Sequence, residues 1–81
     1  MLVNIEEIVK NGNVKIEIED REIIIYKLQN DEYQVFDAQN KNPENGELDY
    51  DVIYKKDEID GFIDNLKLDL MYSKIYKITR I

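Results

Sequence analysis

Histidine and cysteine are both absent from this 81-residue chain. Without cysteine there is no disulfide and no thiolate metal site. Without histidine the commonest general base is gone. No Ser-His-Asp set and no zinc-ligand spacing can be written from the residues that remain. Glycine occurs three times and proline once, too sparsely for a glycine-rich phosphate cradle. No apolar run approaches the ~20 residues that a membrane helix needs. The opening residues lack the charged, apolar and small-residue succession of a secretory leader. These absences predict a soluble protein of a reducing cytoplasm, without a cofactor and without catalytic residues.

What the chain has in excess is negative charge, and it is unevenly placed. Net charge is −7 overall, from eighteen carboxylates against eleven Lys and Arg. Residues 31–69 hold twelve of the carboxylates and four lysines, so that stretch alone carries −8. Residues 1–30 sum to −2, and residues 70–81 to +3 through Lys74, Lys77 and Arg80. Concentrated charge of one sign opposes compaction, so it asks for a reason outside the fold. Direct binding to nucleic acid is not that reason, since it needs clustered Lys and Arg.

The length allows one domain, residues 1–81, burying somewhat over roughly 60% of its unfolded surface. Asn4, with Glu7 three residues on and Gly12 behind, brackets a short helix over residues 4–11 carrying Ile5, Ile8 and Val9. Val14, Ile16 and Ile18 alternate with Lys15, Glu17 and Glu19, a strand with one wet face. Asp20-Arg21 is the expected turn into a nearly continuous apolar run, Ile23–Leu28, the mark of a central strand. A second turn at Asn30-Asp31 leads to a third strand, Tyr33 to about Ala38, completing an antiparallel meander.

The only proline lies in a polar loop over residues 39–46. After it Leu48, Tyr50, Val52 and Tyr54 alternate with Asp49, Asp51 and Ile53, an edge strand with outward aspartates. Asp57 is the expected cap of a helix whose core face is Ile59, Phe62, Ile63, Leu66 and Leu70. Leu68, Met71, Tyr72 and Ile75 could extend its stripe. The β-branched and aromatic residues of Lys74–Ile81 favour a last strand instead. The fold class is α+β, an antiparallel sheet of four to five strands with two helices on one face, in the order α-β-β-β-β-α-β.

The chemistry that remains is carboxylate chemistry. Asp49 and Asp51 share a strand face about 6.6 Å apart and could hold Mg²⁺ or Ca²⁺ only if other oxygens joined them. The plainer expectation is that they discourage edge-to-edge pairing, so no metal site is assigned. Asp57, Asp60 and Asp64 recur at i, i+3, i+7 and stack on one helix face, with Glu58 beside them. Asp60 and Asp64 oppose helix formation as like charges at i, i+4. The first-turn acids recover part of this from the helix dipole. Either this face is simply solvated, or it meets a basic partner. Tyr50 and Tyr54 beside it suit an interface, where tyrosine gives area and carboxylates steer the encounter.

The chain resembles the small acidic inhibitors that phages encode, among them anti-CRISPR proteins. The likeness rests on the N-terminal helix (Asn4–Asn11), the meander (Val14–Ala38) and an acidic later half with a helix (Asp57–Leu68). It implies DNA mimicry, with carboxylates occupying the basic groups that would hold a duplex. The expected site is therefore Asp49, Tyr50, Asp51, Tyr54, Asp57, Glu58, Asp60 and Asp64. Its expected partner is the basic surface of a nucleic-acid-binding protein, such as a CRISPR nuclease, in a bacterial host cell. The alternative is an antitoxin or immunity-type module, or a homo-oligomeric structural module (a homodimer among them) joined through strand edges.

Overall fold

The computed structural model describes residues 4–81. Helix α1 (Ile5–Lys10) starts where expected, with the Asn4 side chain accepting from the Glu7 N–H at 3.2 Å. Six residues cannot hold a helix in water. Ile5 and Val9 are fully buried and dock it onto the sheet and the second helix.

Strands β1 (Val14–Ile18), β2 (Arg21–Lys27) and β3 (Tyr33–Phe36) form the antiparallel meander. The first turn falls one residue earlier than the sequence reading placed it. Glu19 takes the left-handed conformation at φ 54°, so Glu19-Asp20 makes the reversal and Arg21 opens β2 opposite Ile18. That shift puts Arg21 in phase with Ile23 and Ile25, on the face that the helices cover. The second turn spans Gln29–Asp31, with Asn30 and Asp31 both in the left-handed region at positive φ.

Strand β4 (Asp51–Tyr54) is an edge, as expected, but shorter than the alternation of Leu48–Lys55 implies. Residues 37–50 instead form a looped excursion closed by a Lys41–Leu48 bridge, and the chain bends at Tyr50. Helix α2 (Lys56–Tyr72) buries Ile59, Phe62, Ile63 and Leu66, the anticipated core face. Asp57 does not cap it. Lys55 is the N-cap, and the Glu58 carboxylate accepts from the Lys55 N–H at 2.8 Å. Asp57 sits inside the first turn, where the helix dipole favours a carboxylate.

The ambiguous tail divides: the helix runs on to Tyr72, and β5 (Tyr76–Arg80) then pairs antiparallel with β1. The five-stranded sheet has the order β4-β3-β2-β1-β5, so α2 carries the chain from one edge to the other. Both helices cover one face. Val14, Ile16, Ile23, Ile25 and Val35 are fully buried beneath them. No helix among the described residues is long and apolar enough to cross a membrane.

Candidate functional site

The predicted site residues do not all reach the surface together. Asp57 and Asp64 do: both are exposed on the outer side of α2 and make no ion pair among the described residues. Asp60 lies toward α1, where Lys10 Nζ bridges it at 3.1 Å while also reaching Glu6 at 3.2 Å. The hydrogen bond to Asp60, then that to Glu6, pushes the Lys10 ammonium above its ordinary pKa. Glu58 is half-buried and turned toward β4, committed to the cap and lining a shallow hollow with Glu44, Asp51 and Lys55.

Asp51 opens β4, whereas Asp49, expected on the same strand, lies before the bend at Tyr50; both are exposed, but each is tied locally. Asp49 accepts from the Asp51 N–H at 3.3 Å, and Asp51 accepts from Gln34 Nε2 at 3.0 Å. No three acidic side chains among the described residues converge to hold a metal ion. Tyr50 is 55% exposed and leans on Phe36, ring centroids 5.7 Å apart, on the sheet face that no helix covers.

Tyr54 is the correction. It alternates into the core, only 7% exposed, with its ring 5.3 Å from Phe62. Its hydroxyl donates to Asn40 Oδ1 at 3.1 Å. Burial first, then the nearby Asp37 and Glu58 carboxylates, raises the phenol above its ordinary pKa of 10.0. A buried, hydrogen-bonded tyrosine gives no contact area to a partner. The sequence pattern places Tyr50 and Tyr54 on one strand face; the bend at Tyr50 sends them to opposite sides of the sheet.

Sequence reasoning also missed a group that the fold assembles. Asp37 is fully buried and takes a two-pronged hold from Arg21, Nε to Oδ1 at 3.1 Å and Nη2 to Oδ2 at 2.6 Å. Arg21 Nη1 reaches on to Asp69 of α2 at 2.7 Å. The Gln39 N–H completes Asp37 at 3.1 Å; the bonds to Asp37 foremost, and then to Asp69, raise the Arg21 pKa. Asn40, itself buried, donates to the Val35 carbonyl at 2.8 Å and receives the Tyr54 hydroxyl. This network floors a cleft of about 500 Å³ between α2 and the 37–50 excursion. Every buried side-chain polar atom among the described residues has a partner. The network is thus a self-satisfied clasp joining β2, the excursion and α2, rather than a set of groups waiting for a ligand. Its signal in the sequence was Arg21 and Asp37 falling in phase with the buried positions of their strands, once the first turn is set at Glu19-Asp20.

No protein-family model, curated protein or solved structure matches the chain. Of the twelve carboxylates in residues 31–69, Asp37, Asp60 and Asp69 are paired with Arg21 or Lys10. The basic tail neutralises none of them among the described residues. Arg80 instead donates to the carbonyls of Ile8 and Gly12, tying β5 to the end of α1.

Proposed function

We propose that the protein is a binding protein that presents acidic side chains of β4, of the residues just before it and of α2 to a basic surface of a nucleic-acid-handling partner. The observation that carries this reading is the division of its carboxylates. The fold engages Asp37, Asp60 and Asp69 in ion pairs, while nine others between residues 31 and 69 have no cationic partner among the described residues. Unpaired like charges on adjacent elements raise a negative potential that steers cationic partners and orients them on encounter. In this reading Asp49, Asp51, Asp57 and Asp64 meet Lys and Arg that would otherwise hold phosphates. Tyr50 adds apolar area, while Glu58 and Asp60 lend field from positions already engaged. An RNA-guided nuclease is one partner with such a surface, in keeping with the likeness to DNA-mimicking phage inhibitors.

The test is a capture from bacterial lysate on immobilised full chain, eluted with a salt gradient, followed by competition on the purified partner. A partner released as salt rises and displaced by duplex DNA supports mimicry. Binding that is indifferent to salt, or that DNA does not contest, overturns it. Replacing Asp49, Asp51, Asp57 and Asp64 together by Asn should weaken binding by about 10- to 100-fold, at the few tenths to 1 kcal/mol typical of each exposed pair.

A further inference from the structure

The sheet has two edges, and they are finished differently. Strand β4 is four residues long and its outer side is guarded. The Asp37 N–H donates to the Tyr50 carbonyl at 2.9 Å, which sets the phase of the β3–β4 ladder. Within β4 only Asp51 and Ile53 then turn their backbone groups outward. Asp51 puts a charge on that edge, and Pro43 and Glu44 of the excursion border it across a shallow hollow. Charge, proline and a neighbouring loop are devices that keep a sheet edge from pairing.

Strand β5 has none of these guards. It pairs with β1 over an unbroken register, from Val14–Arg80 to Ile18–Tyr76, with no bulge and no proline. The Ile81 N–H donates to the Asn13 carbonyl at 3.1 Å, so Lys77, Thr79 and Ile81 turn their backbone groups toward β1. Tyr76, Ile78 and Arg80 present theirs outward, and no strand among the described residues takes them. Apolar side chains gather at both ends of this edge. Tyr72 is 81% exposed and Ile75 76% just before β5, and Ile81 is 50% exposed just after it.

This row of outward groups matches itself. When two copies lie antiparallel about Ile78, the two Ile78 residues face each other and Tyr76 of each copy faces Arg80 of the other. Each of these pairings can exchange two N–H···O bonds. A shift of one residue would set outward groups against inward ones. The side chains agree with the register: Lys77 falls opposite Thr79, so no like charges stand directly across from one another. Lys77 already has Glu17 opposite it on β1, which offsets its charge within the monomer. Ile75 of one copy comes to the end where Ile81 of the other emerges. The two acidic β4 edges go to opposite extremes of the joined sheet, where copies carrying −7 each repel least. Self-matching of backbone phase and side chains together selects a second copy.

We propose that β5 is a homodimer edge, two copies pairing antiparallel about Ile78 into one continuous sheet with the helices of both on the same face. The contact is isologous and closes at two copies.

Sedimentation equilibrium of the full chain up to about 1 mM, a range that registers weak association, should show a dimer; a strict monomer overturns the proposal. Amide hydrogen exchange at low and high protein concentration locates the contact. Protection at Tyr76, Ile78 and Arg80 should rise with concentration, while Asp51 and Ile53 exchange as before. Unchanged exchange in β5, or a rise at Asp51 and Ile53, overturns it, the latter in favour of pairing through β4. Thr79→Lys, at an exposed position, sets a lysine opposite Lys77 at both symmetric positions and should weaken the dimer about tenfold. Adding Lys77→Glu in the same chain should restore it. Failure of the exchange to restore it overturns the register about Ile78. None of these readouts involves a foreign partner, so the result stands apart from the fate of the mimicry reading.

Discussion

Asp37 and Asp64 are the same side chain in opposite situations. Asp37 lies at 0% exposure with both oxygens held by Arg21 and a third bond from Gln39. Asp64 stands in water on the far side of α2 with no ion-pair partner among the described residues. One carboxylate ties the excursion to β2 and, through Arg21, to α2; the other gives the fold nothing and adds to its self-repulsion. A count of acidic residues treats them alike. The difference teaches that net charge measures partner-binding capacity only after the carboxylates engaged by the fold have been set aside.

The sharpest way to break that contrast is to delete the buried member. Asp37→Ala leaves the Arg21 guanidinium facing a buried site with half its partners gone. Removing one member of a buried pair typically costs about 3–5 kcal/mol. In a domain of this size that approaches the whole stability, so urea titration should show a large fall in midpoint or no folded baseline. A loss under about 1 kcal/mol would mean that the clasp is dispensable. Exchanging both members for apolar residues of similar volume, Asp37→Leu with Arg21→Met, should recover most of the loss.

A smaller effect is expected one bond away. Tyr54→Phe keeps the ring on Phe62 but strands the buried Asn40 Oδ1, at about 1–2 kcal/mol. The pH dependence should change with it. Tyr33 and Tyr54 both have phenols raised above the ordinary 10.0 by burial. The folded state therefore keeps their protons where the unfolded chain releases them. That contribution is whole below pH 10 and is lost as pH rises through the raised values. Unfolding followed upward from pH 9 should steepen above pH 10, and less steeply in Tyr54→Phe. An identical alkaline limb in both proteins would contradict the burial of this phenol.

Much of the scaffold was legible because it is written at short range. The alternation Val14-Ile16-Ile18, the run from Ile23 and the stripe Ile59-Phe62-Ile63-Leu66 each state a period that the structure obeys. What went unread depended on phase or on contacts distant in sequence. A one-residue difference in the first turn decided whether Arg21 was a loop residue or a member of the covered face. The bend at Tyr50 reversed the expected side of that tyrosine relative to Tyr54. Asp69 meets Arg21 across 48 positions, a pairing that no local pattern encodes. The end of α2 was blurred for a different reason. Leu68, Met71, Tyr72 and Ile75 satisfy a helix period, and the β-branched residues that follow satisfy a strand; the helix signal holds through Tyr72, while Ile75 already lies beyond the Ser73 cap, on the way into β5.

The exposed side of α2 can also be sharpened by a change that should help. Gly61 lies on the same outer line as Asp64, and an added Cβ would meet nothing within 4 Å. Its conformation is helical, so Gly61→Ala should stabilise the protein by roughly 0.5–1 kcal/mol by reducing the freedom of the unfolded chain. A rise in melting temperature is the expected result; a fall would place the position in contact with something the monomer does not contain.

The smallest effect on stability is expected where the effect on binding should be largest. Asp57→Asn and Asp64→Asn remove charges that the fold does not engage, so each should shift stability by no more than about 0.5 kcal/mol. The two need not shift alike. Asp57 lies in the first turn of α2, where the dipole favours a carboxylate, so its neutralisation should cost a few tenths of a kcal/mol. Asp64 is beyond that turn and repels Asp60 at i, i+4, so its neutralisation should be neutral or slightly stabilising. Denaturant midpoints at low and high salt separate the two, because screening should erase both small terms and bring the variants together. If Asp64→Asn instead destabilises as much as Tyr54→Phe, then Asp64 belongs with Asp37 among the carboxylates the fold engages, and the unpaired acidic surface shrinks accordingly.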